Sequence, residues 1–157
     1  MLLDPSWLPT RYESPPVEAM VGGWQVNADG GIGPFQPNPD YLPSAATVPT
    51  DPTDALLRMA AQGKDIGDEL VPRLLASVVE IGCDEHDQPV IRTAPDGVPC
   101  VVVATAALQR AGVAADRWWP ILGSRLLDVV PPDADILLNP GGLAAFRLIA
   151  GALRAVD

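Results

Sequence analysis

The sequence predicts an α+β fold in which a mostly antiparallel sheet is flanked by short helices, preceded by an extended proline-rich N-terminal arm and a small hairpin. The run from Val98 to Ala104 is almost wholly apolar, which is typical of a central strand covered on both faces. Short strand-like and helix-like runs alternate after residue 50. The chain has 18 prolines, concentrated in its first 52 residues, where they favour extended backbone.

Two regions follow from this distribution. Residues 1–49 are predicted to form the proline-rich arm and the β-hairpin, and residues 50–157 the α+β domain. A domain of this size can bury a hydrophobic core. In the arm, Trp7 and Tyr12 are the aromatic residues expected to hold the extended chain against the body.

The segment 21–35 predicts the small hairpin, because Trp24 and Val26 alternate with polar neighbours before a glycine-rich turn. The turn Gly30–Gly33 has a superficial likeness to a dinucleotide-binding loop. Such a loop must open a helix whose amides bind phosphate, and Pro34 with the prolines after it prevents that helix. The sequence therefore predicts no cofactor.

Two helices and a strand should follow the arm. Residues 50–63 have a capping residue, a proline in the first turn and a closing glycine, which predicts a helix. Residues 68–75 predict a shorter helix, in which Pro72 should lie in the first turn or end what precedes it. Residues 76–83 predict a strand with alternate apolar residues on one face.

The triplet Pro95–Gly97 has the composition of a tight turn and predicts a hairpin, so that three successive strands form a meander. Beyond it, Thr105 and Ser124 are expected to cap short helices. The remaining predicted strands are 118–122, 135–139 and 145–149, and the remaining predicted helices are 106–111, 125–130 and 151–156.

The net charge of −10 excludes the basic surface that nucleic-acid binding requires, and it disfavours anionic membranes. A basic protein partner is compatible with this charge, and so is acidity that serves solubility alone. No basic leader and no stretch of about 18 apolar residues occurs, so we expect a soluble cytoplasmic protein without membrane insertion.

Few residues could perform catalysis or bind a metal. Cys83, Cys100 and the single His86 fit no metal-binding spacing, and whether the cysteines lie close together is left open. The turn Asp84–Asp87 could supply a general base to a small enzyme of unknown reaction, but a solvated turn explains the same residues. We therefore predict no catalytic residue, and keep an enzyme using this turn as the alternative.

Aromatic residues are the candidate partner-binding residues. Trp118 and Trp119 are adjacent in a predicted strand, so their indoles should lie on opposite faces and one can be exposed. Trp7, Tyr12 and Tyr41 in the proline-rich region are expected to add further anchors for a protein partner. In the competing interpretation, the aromatics of the arm are buried because the arm covers the domain's own sheet.

Four motifs carry a family resemblance. They are the helix at 53–60, the hairpin Pro95–Thr105 (similar to "DG.P..PVFTS"), the strand end Asp135–Gly142 (similar to "LLLNPGG"), and Trp24 with Phe35–Tyr41 (similar to "W.V...G.I..W.PNPEY"). Their order resembles the SseB N-terminal-like family, and especially the type VII (ESX) secretion system-associated proteins of high-GC Gram-positive bacteria. The resemblance covers about residues 21–156.

The resemblance implies a non-enzymatic cytoplasmic accessory protein of type VII secretion that acts through protein contacts. The roles it leaves open are adaptor, chaperone and toxin-neutralising immunity partner, with a secretion substrate or a toxin as the bound protein. It implies no active site. Asn139–Gly142 has the composition of a strand terminator, and a binding loop remains the alternative.

Overall fold

The computed structural model describes residues 1–9 and 13–156, and it confirms the predicted α+β fold. The strands of this part of the chain are β1 Leu2–Leu3, β2 Met20–Val26, β3 Ile32–Pro37, β4 Val78–Cys83, β5 Ile91–Thr93, β6 Pro99–Ala104, β7 Arg117–Leu122, β8 Asp135–Leu138 and β9 Phe146–Leu148. The α-helices are α1 Pro52–Ala61, α2 Gly67–Leu75 and α3 Ala150–Arg154.

Strand β6 is the centre of the larger sheet, whose order is β7-β4-β6-β8-β9, with β5 also paired to β6. Its pairs are antiparallel except for β6 with β8, which is parallel. The five residues from Cys100 to Ala104 are each 0% exposed. The predicted burial of this strand on both faces is confirmed.

Strands β4 and β5 lie end to end along the same side of β6. Ile81 of β4 is opposite Val103, and Ile91 of β5 is opposite Val101. The expected three-stranded meander is therefore wrong, although the hairpin between β5 and β6 is present and Gly97 adopts φ 84° in its turn. Residues 84–89 form an excursion between β4 and β5, closed at its base where the Val90 N–H donates to the Gly82 carbonyl at 2.9 Å.

Helices α1 and α2 cover one face of the larger sheet. Asp51 caps α1 as expected, because its carboxylate accepts the N–H groups of Thr53 and Asp54 at 2.9 and 3.0 Å. The core between helices and sheet includes Leu56, Leu57, Leu70, Leu74, Val79, Ile81, Val101, Val103, Ile136 and Leu138. Pro72 lies inside α2 rather than in its first turn, and its exposed position lets solvent reach the carbonyl that loses a donor.

Two of the helices predicted after β6 are 3₁₀ helices, at Ala107–Arg110 and Gly123–Asp128. Neither has a side-chain cap, so the expected caps by Thr105 and Ser124 are wrong. Thr105 is instead buried, and its hydroxyl donates to Asp51 at 2.7 Å. The Thr105 hydroxyl thus bonds to a residue far away in the sequence instead of capping the helix that follows it.

The first three strands form a separate antiparallel sheet of order β1-β2-β3. It joins the larger sheet at Phe35, whose N–H donates to the Ala76 carbonyl at 2.7 Å. Phe35 is buried among Val21 and Tyr41. The proposed boundary between residues 49 and 50 stays a prediction.

Strand β7 is one edge of the larger sheet. The Gly123 N–H donates to the Ser77 carbonyl, so by register the odd-numbered residues of β7 hydrogen-bond to β4. Pro120 therefore turns its nitrogen towards the free edge, where it removes a donor that another strand could use. Within residues 1–9 and 13–156, no helix combines the length and apolar character needed to cross a membrane.

Candidate protein-binding site

Among the aromatic residues that the structure describes, Trp119 on β7 is the most open to solvent, with 48% of its surface exposed. Trp118 lies on the opposite face of the sheet, as adjacent strand residues do. There it packs over Gly82, where an added Cβ would come within 2.7 Å of Val102 and 3.4 Å of the Trp118 ring. Gly82 has no side chain, so Trp118 packs over it and is half-buried. Trp119 is paired with Ile81 and lies on the same face of the sheet as that residue, where about half of its surface stays exposed.

The Trp119 side chain is held in place by the turn between β4 and β5. Its indole Nε1–H donates to Oδ1 of Asp87 at 3.1 Å, and Arg117 donates to the same oxygen at 2.9 Å. Asp87 has φ 60°, a left-handed conformation that aspartate tolerates better than most residues. The orientation of the indole is therefore set by contacts within the chain itself.

Trp119 forms one wall of an open groove of about 440 Å³, which we call the Trp119 groove. Apolar residues of β4, β7 and the segment after the second 3₁₀ helix supply most of its lining, and the excursion supplies the rest. The lining residues are Ile81, Cys83, Asp87, Gln88, Pro89, Trp119, Pro120, Ile121 and Val129. A groove of this kind can accept apolar side chains of another molecule.

The acidic turn considered as an enzyme site has a structural role at Asp84. Its Oδ1 accepts the N–H groups of His86 and Gln88 at 2.8 and 2.9 Å, which shapes the turn. These bonds, from Gln88 and then His86, lower the pKa of Asp84. Glu85 and His86 lie 3.8 Å apart with side chains 78% exposed, so neither is held against a cavity.

Both cysteines are buried and free. Cys83 faces the core side with Ile81, whereas Cys100 precedes Val101 and lies on the other face of the sheet, so the two thiols cannot meet. Burial raises the pKa of both thiols. The described residues contain no group of three or more His, Cys, Asp or Glu that could hold a metal ion.

Tyr41 is buried, with only 2% of its surface exposed, as the competing interpretation expects for an aromatic residue of the arm, and its role as a partner anchor stays a prediction. Its hydroxyl donates to Oδ2 of the buried Asp4 at 2.8 Å, and its ring packs against Val21 and Phe35. Burial, the hydrogen bond to Asp4 and the charge of Asp4 raise the pKa of Tyr41. Tyr41 therefore packs against the smaller sheet of its own chain.

Four of the five predicted anchors lie among the described residues, and these four are spread over different parts of the fold. Trp7 is half-buried in the turn after β1, where its N–H donates to the Asp4 carbonyl at 3.1 Å. Tyr12 lies outside the described residues. Within the part of the chain that is described, the Trp119 groove is lined by no residue of the first 49. Whether Trp7, Trp118 and Trp119 bind a partner stays a prediction.

Trp24 was predicted as a hairpin residue and as part of a family-like motif, but not as a partner-binding residue. It is 36% exposed, and its ring meets Phe35 edge-on at a centroid distance of 5.0 Å. It also lines a second, almost wholly apolar groove of about 450 Å³ between the smaller sheet and α1. The alternation of apolar and polar residues around Trp24 predicts which face of the strand its side chain lies on. No pattern in the sequence predicts that α1 lies next to that face.

A buried polar network at the end of β6 was also missed. Asn139, with φ 49°, accepts the Thr105 N–H and donates to the Thr105 hydroxyl, both at 2.9 Å, and that hydroxyl donates to Asp51. Burial raises the pKa of Asp51, and hydrogen bonds from Thr105, the Asp54 N–H and Thr50 oppose this rise. These contacts fit the strand-terminator interpretation of Asn139.

The fold and this site define an α+β protein with a pre-oriented aromatic side chain beside an open groove. No family model, curated protein or solved structure matches the chain. The resemblance to the SseB N-terminal-like family therefore depends on the four sequence motifs alone.

Proposed function

We propose that this chain is a non-enzymatic accessory protein of type VII (ESX) secretion that binds a protein partner through the Trp119 groove. The association with secretion depends on the motif resemblance. The mode of action depends on the groove. Within this proposal the protein works in the cytoplasm as an adaptor, a chaperone or a toxin-neutralising partner.

The observation that carries the binding role is the state of Trp119. An indole that is 48% exposed on an edge strand presents a large apolar area to any partner. Its hydrogen bond to Asp87 restricts its rotamers, so less side-chain entropy is lost on binding. Tryptophan is also enriched among the residues that dominate the energy of interfaces.

The surrounding residues support a binding role more than a catalytic one. Asp87, the carboxylate that lines the groove, already accepts hydrogen bonds from Arg117 and Trp119. Apart from Asp87 and Cys83, the lining contains no ionisable side chain that could act as a second acid or base. The other groove residues are mostly apolar and complement an apolar surface.

The proposal is tested by co-purification from the native host followed by mass spectrometry, with wild-type protein and two variants. Trp119→Ala removes the anchor, and Leu143→Ala is the matched control, because Leu143 is 75% exposed outside the groove. We expect a component or substrate of type VII secretion to be captured by wild type and Leu143→Ala and lost with Trp119→Ala. Capture that is equal with all three proteins would refute the role of the groove.

A further inference from the structure

One end of the Trp119 groove carries an excess of carboxylates. Asp87 lines the groove, and Asp84 and Glu85 precede it in the excursion. The backbone of Asp116 lies beside the lining residue Cys83, because its N–H donates to the Cys83 carbonyl at 2.9 Å. Arg117 pairs with Asp87 at 2.9 Å. Among the described residues, no Lys or Arg forms a salt bridge with the other three acids.

These carboxylates remain available to a ligand. The Glu85 side chain is 78% exposed, and Asp116 is exposed. Asp84 uses one oxygen to accept backbone N–H groups, which favour its ionised form. At the opposite end, next to Val129, Arg125 pairs with Asp128, so this end adds no net charge.

Resting on the proposed function, we propose that the occupant of the Trp119 groove is an apolar protein segment with Lys or Arg beside the inserted side chain. Burial against Trp119 and Ile121 gives the apolar contribution. The carboxylates of the excursion and Asp116 complement the flanking cations, and the chain's net charge of −10 favours their approach. An acidic segment would meet like charges at the same end of the groove.

The first experiment follows the indole N–H signals of the four tryptophans by NMR, with the Trp119 signal assigned from Trp119→Phe. The probes are three synthetic peptides: KGKLFKGK, the acidic EGELFEGE and the non-apolar KGKSSKGK. We expect only KGKLFKGK to shift the Trp119 signal, with an affinity that falls as salt is added. Equal binding of KGKLFKGK and EGELFEGE would overturn the inference, as would binding of KGKLFKGK that salt does not weaken.

A second experiment separates local charge from net charge. Glu85→Lys with Asp116→Lys reverses two exposed acids in the segments that adjoin the lining residues Asp87 and Cys83, whereas Asp40→Lys with Asp133→Lys makes the same change of net charge at exposed positions elsewhere in the chain. We expect the first pair to weaken KGKLFKGK binding about tenfold and the second by no more than about twofold. Equal effects of the two pairs would overturn the inference.

The outcomes also separate this inference from the function on which it rests. If Trp119→Ala loses the native partner but charge reversal at Glu85 and Asp116 does not weaken its capture, the groove binds a partner and only its basic character is refuted. If Trp119→Ala retains the native partner and neither apolar peptide shifts the Trp119 signal, both proposals fail.

Discussion

Trp119 and Asp87 are 32 residues apart in the chain and are joined by a hydrogen bond of 3.1 Å from the indole Nε1–H to a carboxylate oxygen. This contact connects two features that the sequence presented separately, a pair of tryptophans in a strand and an acidic turn. The turn thus orients an aromatic residue on the neighbouring edge strand. Both belong to one surface.

Replacing Asp87 by glycine should loosen Trp119 without unfolding the protein. Glycine accepts the φ of 60° at this position, so the backbone is not strained, but the acceptor for Trp119 and Arg117 is lost. We expect a change of less than about 1 kcal/mol in the free energy of unfolding, because the contacts are exposed.

The measurements for this variant are urea unfolding and the NMR line width and hydrogen-exchange rate of the Trp119 indole N–H. Asp87→Asn is the control, since it keeps an oxygen acceptor and tolerates the same backbone conformation. An indole N–H that exchanges equally slowly in wild type and Asp87→Gly would show that Asp87 does not hold the ring.

Replacing Val102 by aspartate should prevent folding. Val102 is 0% exposed at the centre of the larger sheet, so a carboxylate at this position would be buried. An unpaired buried charge costs several kcal/mol, against a total stability of about 5–15 kcal/mol. Circular dichroism and thermal melting check the result, with Ile91→Asp as control because Ile91 is 45% exposed. A cooperative melt of Val102→Asp near that of wild type would contradict the central placement.

The buried carboxylate of Asp4 should make the smaller sheet sensitive to acid. Burial alone would raise the pKa of Asp4, but hydrogen bonds from Ser6 and Ser44 outweigh it and hold the pKa well below its usual range. A depressed folded-state pKa gives stability that is present above the unfolded value of about 3.9. That contribution is lost as the pH falls below this value towards the folded-state pKa.

Urea unfolding of wild type and Asp4→Asn at neutral pH and at about pH 3 measures this effect. We expect wild type to lose more stability on acidification than Asp4→Asn does. Asp40→Asn, at an exposed position of the same segment, should behave like wild type. If Asp4→Asn and wild type lose equal stability, Asp4 does not contribute to acid sensitivity.

Asn139→Ala should destabilise the protein by about 2–4 kcal/mol, since two hydrogen bonds are removed and the buried Thr105 N–H loses its acceptor. Alanine also tolerates the φ of 49° poorly. Asn139→Gly removes the same hydrogen bonds without that strain, so it should be less destabilising. Chemical denaturation of both variants checks this, and losses below about 1 kcal/mol in both would exclude a stabilising role for the network.

The sequence predicted those strands and turns whose apolar or turn-forming residues follow one another within a short stretch of the chain. The apolar run of β6 identifies a central strand, and Pro95–Gly97 identifies its hairpin, because the turn needs those residue types locally. The segments at 107–110 and 123–128 were predicted as helices but not as 3₁₀ helices, because local propensity does not decide between the two types in such short segments.

Pairings between distant residues explain what the sequence could not predict. The sequence around Tyr41 left open whether this residue is exposed or covers the sheet. In the structure its hydroxyl donates to Asp4, 37 residues earlier, and its ring is buried with Val21 and Phe35. Thr105 reads as a helix cap, but Asp51, 54 residues away, takes its hydrogen bond. The fold brings these hydrogen-bonding residues together, and the local propensities of the sequence do not predict such contacts between distant segments.

The excursion between β4 and β5 is closed at its base by backbone hydrogen bonds, and both flanking strands remain in register along β6. Insertions or exchanges within residues 84–89 can therefore accumulate while the sheet stays unchanged. Because the same excursion orients Trp119, a changed excursion would surround this tryptophan with different side chains. The fold can thus diversify its recognition of partners at one short loop, either during evolution or by grafting.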